Sequence, residues 1–370
     1  MSLPILNARS RVMMFAPHPD DESLAAGVFL QRAVAAGAAV RIVYATDGER
    51  NCWPQRVLER KVRLRAQDRF RWGARRRAEA LAALHSLGIG ADAVEFLALP
   101  DQGVTDLLLD GCHATLRRLA RVIGEWQPTH VLLPSAADTH PDHSGLAILL
   151  DIVLDHHLPT LPPISRLHYL VHGSSTAFRR GSLELLQDSA EQKSKRCAIG
   201  CHVTQVALSR RRFLSYAKRP ERFLVAGKSA TPASDGPIHS FVRSHSELRL
   251  QVAFTLKPLR AEATTLYLLG HDRFGLRRFR TTLPGRSTRL DLIDCSTGDI
   301  ACVGQYRGDA FRAEISLPMS NFVSSRSVFV KLDRRVWFFD EAGWLEIDAL
   351  AAASQRPSAP ARLTPELAVA

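Results

Sequence analysis

The stretch RVMMFAPHPDDESL, from Arg11 to Leu24, sets the fold. Arg11 to Ala16 is a short apolar run of strand type, and Pro17 ends it. Four polar side chains follow, His18, Asp20, Asp21 and Glu22, and then an Ala-rich segment opens with apolar residues at helical spacing. That segment, Ser23 to Gly37, reads as a helix with Gly37 placed to cap it. Strand, polar turn and helix make half of a βαβ unit. The pattern recurs outward from there. Val40 to Ala45 (VRIVYA) is a second strand, and a basic helical region runs on to about Leu87, with Gly88 as its cap. Ala93 to Leu97 is a third strand and Asp106 to Trp126 a long helix. His130 to Leu133 is a fourth strand closed by Pro134, Ser144 to His156 is helical, and Leu167 to Val171 is a fifth strand. Strands separated by helices predict an α/β unit: a mostly parallel sheet with helices on both faces and right-handed connections.

The character changes after about Lys228. Ser229 to Pro237 (SATPASDGP) has linker composition. Short alternating segments follow between turn residues: Leu248 to Thr255, Thr265 to Leu269, Arg277 to Leu283 and Ser327 to Leu332. They predict a smaller C-terminal all-β domain, sandwich-like and antiparallel. The expected organisation is a first domain over 1–228, a linker over 229–237, a β-rich domain over 238–350 and a disordered Ala/Pro-rich tail over 351–370.

Composition fits this. The chain has 370 residues, 46% hydrophobic and 23% charged, which excludes mostly disordered, collagen-like and disulfide-stapled classes and makes two domains the default. No uncharged apolar run reaches the roughly 18 residues of a membrane span, and Met1 to Ser10 lacks a secretory apolar core. A soluble cytoplasmic protein is expected. Six sparse cysteines, with no CxxC pair, agree with reduced structural thiols. The net charge is +12, and Arg50 to Arg77 concentrates it, with eleven basic residues against Glu59 and Asp68. Such density suits an anion-contacting surface or a solvated helix face.

Two clusters carry chemistry. PHPDDE at Pro17 to Glu22 follows the first strand, at the edge where open α/β sheets hold their ligands. His18 and Asp21 are ordinary zinc ligand types; acids at a helix N-terminus are the bland alternative, and they leave His18 idle. HPDH at His140 to His143 follows the fourth strand in the same way. His18, Asp21 and His143 together form a His2Asp set, and three protein ligands are the open arrangement of catalytic zinc. Iron, cobalt and nickel suit the same donors. Asp20 is then placed as general base, His140 to stabilise or protonate the departing atoms, and Asp142 to hold His140 in one tautomer. The implied reaction is hydrolysis of an unactivated carbonyl compound such as an amide.

These motifs, with TDGE at Thr46 to Glu49, LPDQG at Leu99 to Gly103, the Arg76 to Gly88 segment and AIGCHVTQ at Ala198 to Gln205, resemble the PIG-L/LmbE-like family of zinc-dependent N-acetylglucosamine deacetylases. The likeness spans roughly Arg11 to Phe223. It implies a Rossmann-like fold and one Zn2+ per chain on His18, Asp21 and His143. Asp20 would be the base, deprotonating zinc-bound water, and His140 would assist at the tetrahedral intermediate. Arg76, with Arg75 and Arg77 as alternatives, and Asp101 would grip sugar hydroxyls. Gln102 stands where the family often has glycine.

The resulting expectation is a metal-dependent hydrolase removing the N-acetyl group from an N-acetylglucosamine-containing glycoconjugate. A zinc amidase on another N-acyl conjugate and a non-catalytic glycan- or anion-binding protein are the alternatives. The partner expected is an N-acetylated amino-sugar conjugate, with anionic and lipid-linked forms open and nucleic acid disfavoured. The basic segment is a candidate substrate lid or, through Trp53, Phe70 and Trp72, a peripheral membrane contact. For the β-rich domain, a structural cover or dimerisation surface is preferred over carbohydrate binding, its aromatics including Phe329, Trp337, Phe338, Phe339 and Trp344.

Overall fold

A computed structural model describes residues 3–158, 160–173, 176–225, 236–254, 264–336 and 338–350. Most of the expected linker, the expected tail, Thr255 and Trp337 therefore lie outside the described residues.

Seven strands form the first sheet: β1 (Arg11–Ala16), β2 (Ala39–Thr46), β3 (Val94–Leu99), β4 (His130–Pro134), β5 (Ser165–Tyr169), β6 (Leu183–Leu185) and β7 (Glu221–Val225). Their order is β3-β2-β1-β4-β5-β7-β6. The first five are mutually parallel, while β7 pairs antiparallel with both β5 and β6. The helices are α1 (Asp21–Ala35), α2 (Cys52–Glu59), α3 (Ala66–Ser86), α4 (Val104–Asp110), α5 (His113–Trp126), α6 (Pro141–Ile152), α7 (Thr176–Gly181), α8 (Ser189–Cys201) and α9 (Val203–Ser215). Alternation decides the layers. On β1, Val12, Met14 and Ala16 face one core with Leu24, Val28 and Ala83, while Met13 and Phe15 face another with Leu119, Leu146 and Leu150. Both faces of β1 are dry, as a covered parallel strand requires.

Two expected helices are divided. The basic region is α2 and α3, separated near Arg60, which adopts φ 52°. The long helix from Asp106 breaks at Gly111, whose φ of 138° no helix accommodates, giving α4 and α5.

Strands of the second sheet are β8 (Ile238–Arg243), β9 (Glu247–Ala253), β10 (Thr265–His271), β11 (Leu276–Thr282), β12 (Thr288–Asp294), β13 (Ile300–Gly308), β14 (Arg312–Pro318), β15 (Val328–Asp333) and β18 (Leu345–Ile347). They are ordered β18-β15-β10-β11-β12-β13-β14-β9-β8, all pairings antiparallel. The sandwich-like packing comes from one sheet wrapped around one core of Leu250, Leu268, Phe279, Leu292 and Val330. Its edges approach each other: Arg243 on β8 donates to the carbonyls of Ile347 and Asp348 at 3.1 and 2.7 Å. A small hairpin, β16 (Arg335–Val336) and β17 (Phe339–Asp340), leaves this sheet. On β10 and β15, Leu268 and Val330 point into the sheet's own core, while Leu269 and Phe329 join Trp344 against α4–α6. The period of two thus serves two cores.

Candidate metal centre and active site

In the order β3-β2-β1-β4-β5, chain direction along the sheet reverses between β1 and β4, and the turns after these strands flank a crevice. PHPDDE is the turn after β1. Asp21 opens α1, and its Oδ2 accepts the His18 backbone N–H at 2.9 Å, so the turn closes on the carboxylate. HPDH lies after β4. Pro141 starts α6, and the His140 Nδ1 accepts the Asp142 N–H at 3.2 Å as an N-cap.

The three expected ligands converge. His18 Nδ1 lies 3.2 Å from His143 Nε2 and 3.4 Å from Asp21 Oδ2, and His143 Nε2 lies 3.2 Å from Asp21 Oδ2. Tetrahedral bonds of about 2.0–2.1 Å set ligand atoms about 3.3 Å apart, so this triangle fits a zinc-sized ion. Electrostatics agree. Burial disfavours charge on His143, yet Asp21 and Asp138 outweigh it and push its pKa up to about 9. His18 is likewise raised, because Asp101, Asp142 and Asp21 overcome its burial. Buried carboxylates that force imidazoles toward charge create a field that a divalent cation would neutralise.

Asp20 sits beside the triangle, its Oδ1 3.3 Å from the Arg76 guanidinium. Burial pushes its carboxyl up to about 6, against the pull of Arg76. His140 is edge-on to His18, ring centres 4.7 Å apart. Its pKa is held well below normal by burial and by the neighbouring histidines His18, His143 and His172. With Nδ1 accepting, the proton of the neutral ring belongs on Nε2.

Two expectations need correction. Asp142 does not hold His140 through its carboxylate. That group accepts the backbone N–H of Gln102 (2.6 Å) and Val104 (3.0 Å) and meets His18 Nε2 at 3.2 Å; only the Asp142 backbone N–H reaches His140. Its position one residue into α6 turns the carboxylate toward the loop after β3. Arg76 is not a free sugar grip. It is buried, bonded to the carbonyls of Gly48 (2.9 Å) and Pro19 (3.2 Å), and spent on Asp20. It crosses Gly48 so closely that a Cβ there would fall 1.7 Å from its Nη1, which gives the TDGE glycine its reason. Arg77 pairs with Asp47 and Arg75 with Glu79, so neither replaces it.

Asp101 is at the site, its Oδ1 3.4 Å from His18 Nε2 and its Oδ2 accepting the Arg50 N–H at 2.5 Å. Other motif residues build scaffold. Glu79 accepts from the Thr204 N–H and hydroxyl, and Glu22 meets His202 at 2.9 Å.

Sequence reasoning missed three groups. Asp138 Oδ2 lies 3.1 Å from His143 Nδ1 and accepts the N–H of Val171 and His172; its Oδ1 accepts that of His140. It lies behind His143, the place that outer carboxylates take at metal centres. Its place two residues before His140 was an available signal. His172 follows β5, a third strand end, with ring centres 4.8 Å from His143. Phe339, on the hairpin of the second sheet, packs 5.7 Å from His140 and 5.1 Å from His172, and no local signal marked it.

Comparison with known proteins follows the same residues. The family model described as PIG-L, GlcNAc-PI de-N-acetylase, matches residues 13–152. A 1D-myo-inositol 2-acetamido-2-deoxy-alpha-D-glucopyranoside deacetylase of Mycobacterium sp. (strain KMS) is 32% identical over 148 residues, 36% of this chain and 46% of that protein. One of the same description from Mycobacterium avium (strain 104) is 39% identical over 80 residues, 22% of this chain and 26% of that protein. The chain thus spans at most about half the length of these relatives. Among solved structures, N,N'-diacetylchitobiose deacetylase from Pyrococcus horikoshii is 19% identical, with TM-score 0.44 over 58% of this chain and 83% of that one. The match over residues 13–152 takes in both HPD clusters and the turns between them.

Proposed function

We propose that the protein is a divalent-metal-dependent N-deacetylase that hydrolyses the acetamide of an N-acetylglucosamine-type conjugate. The observation that carries this reading is the triangle of His18, Asp21 and His143, with 3.2–3.4 Å edges, flanked by Asp20 and a neutral His140. Zinc is the ion its ligand types favour. When bound, such an ion supplies Lewis acidity, polarising a carbonyl and making water acidic near neutral pH.

The chain's own residues do the rest. Asp20, anionic at neutral pH, takes a proton from the attacking water, and Arg76 fixes which carboxylate oxygen stays free. His140 presents Nε2–H to the acyl oxygen as negative charge develops there. A C–O bond forms, the C–N bond breaks, and the amine leaves with the proton that Asp20 removed. Acetate is the second product. Asp142 and Asp138 steady His18 and His143 from behind. A sugar contact for Asp101 rests on the family resemblance alone, since Asp101 is buried with its Oδ1 toward His18 and its Oδ2 on the Arg50 N–H. The sugar itself is taken from the relatives, whose names specify a 2-acetamido-2-deoxyglucopyranoside. The division into a hydrolase unit over 1–228 and an accessory unit over 238–350 belongs to the same proposal.

The test is acetate release by the metal-loaded chain from free N-acetylglucosamine and its nucleotide-, phospholipid- and aglycone-linked forms, with His143→Ala as control. Release from one member that disappears in the control supports the proposal. Silence across the panel from a chain with one ion bound would reassign the site to another N-acyl substrate.

A further inference from the structure

The basic segment has a second property that its charge does not require. Among the described residues fifteen large apolar side chains are exposed, and five of them (Trp53, Val57, Leu58, Val62, Phe70) lie within eighteen positions. Val62 is 85% and Phe70 77% exposed. They are not strays from an unformed core, because the segment already buries an inner face through Pro54, Gln55, Trp72 and Gly73. Helix α2 packs against α9, and Asn51 donates to Gln205 at 2.7 Å. Helix α9 brings exposed Val203 and Leu208 with exposed Arg210, Arg211 and Arg212 to that side.

Part of the charge there meets no counter-charge among the described residues. Lys61 and Arg71 share Asp68, and Arg75 takes Glu79. Among the described residues the guanidinium groups of Arg60, Arg63, Arg65 and Arg69 are exposed and form no ion pair; Arg65 meets Asp68 only through its backbone N–H. A solvated helix face would carry the arginines without Val62 and Phe70. A nucleic-acid face would not need the aliphatic Val57, Leu58 and Val62. A symmetric contact between two copies would set a patch of this charge against itself. Guanidinium groups interspersed with exposed Trp, Phe and aliphatic side chains match an anionic lipid surface, where phosphates meet the charge and acyl chains receive the apolar groups.

We propose that α2, the 60–65 connection and the start of α3, flanked by α9, form a docking surface for an anionic bilayer. No helix among the described residues is long and apolar enough to cross a membrane. The surface begins beside the reaction centre. The Arg50 N–H donates to Asp101, and the Gln102 amide donates to the Arg50 carbonyl at 3.3 Å. A chain docked through this face therefore presents the Asp101 loop close to the headgroups.

The experiment is co-sedimentation of the full chain with phosphatidylcholine vesicles, with and without about 30% phosphatidylglycerol. Binding is expected to the anionic vesicles alone and to fall in high salt. Replacing Arg60, Arg63, Arg65 and Arg69 by Gln should cut partitioning about fivefold per residue, and Val62→Ser with Phe70→Ser should cut it again. All six side chains are exposed, so an unchanged thermal midpoint is expected and shows that the fold survives. The assay reads no acetate, so its failure is separate from failure of the deacetylase reading. Equal binding to neutral vesicles, or indifference to the arginine replacements, would overturn the proposal. So would absence of vesicle binding, whether the chain instead bound an oligonucleotide at the same salt or formed a dimer that Phe70→Ser dissociates.

Discussion

The seven-stranded and nine-stranded sheets both reach the His/Asp cluster, by different routes. The first sends its groups from the turns that follow β1, β3, β4 and β5, so each side chain is fixed by the strand end it leaves. The second reaches in through one hairpin. The Asp340 N–H donates to the Thr139 carbonyl and the Trp344 N–H to that of Ala136, at 2.8 and 2.7 Å. Lys331 pairs with Asp340 in the interior, and Phe339 is left against His140 and His172. In the proposed enzyme the first sheet supplies the reacting groups and the second a wall. Chemistry placed at strand ends is local in sequence; a wall brought from some 200 residues away is not.

That comparison can be broken first at the first sheet. Asp20→Asn should retain the metal and lower acetate release about 10²–10⁴-fold, the range of a lost general base. Turnover near wild type would remove Asp20 from the mechanism.

The next effect lies where the sheets meet. Asp151 on α6 is buried and Glu346 on β18 half-buried, and loss of water pushes each carboxyl up to about 7; Arg166 opposes the shift on Asp151 and Asp155 adds to it, while Asp151 adds to that on Glu346. Between about pH 4 and pH 7 the folded chain then holds protons that the unfolded chain has released. Stability therefore declines as pH rises through that window and is level above it. Asp151→Asn should raise stability at pH 8 by about 2 kcal/mol and change it little at pH 4. Denaturant midpoints at the two pH values decide; equal destabilisation at both would contradict the assignment.

Phe339→Ala sharpens the role of the second sheet. An aromatic pair is worth about 0.5–1.5 kcal/mol, so kcat/KM should fall about three- to tenfold with metal content unchanged. Unchanged kinetics would reduce the hairpin to a structural cover.

The smallest effect concerns Gln102. It holds φ at 58°, a left-handed conformation that costs a side-chain-bearing residue about 1–2 kcal/mol, partly offset by the freedom glycine has when unfolded. Gln102→Gly should stabilise the chain by about 0.5–1 kcal/mol and leave acetate release within about twofold, since its N–H to Asp142 is backbone.

The first five strands and both HPD clusters were legible because each is a contiguous run whose local pattern and tertiary role agree. His18, Asp21 and His143 were legible for the same reason: each stands within a few residues of a strand end. The role of Asp142 was misread because spacing alone does not tell which neighbour a carboxylate on the first turn of α6 faces. Arg76 was misread because its burial depends on Gly48, twenty-eight residues earlier, leaving room for its guanidinium. The place of Phe339 and the electrostatic influence of Asp151 on Glu346 arise only from docking of the second sheet, which no local pattern encodes.

The central claim is that His18, Asp21 and His143 hold one metal ion. The direct measurement is calorimetric titration of the chelator-stripped chain with Zn2+, for the wild type, His143→Ala and Asp21→Ala. The account predicts one ion per wild-type chain and loss of that binding in both variants. Wild-type affinity in either variant, or no binding by the wild type, would contradict it.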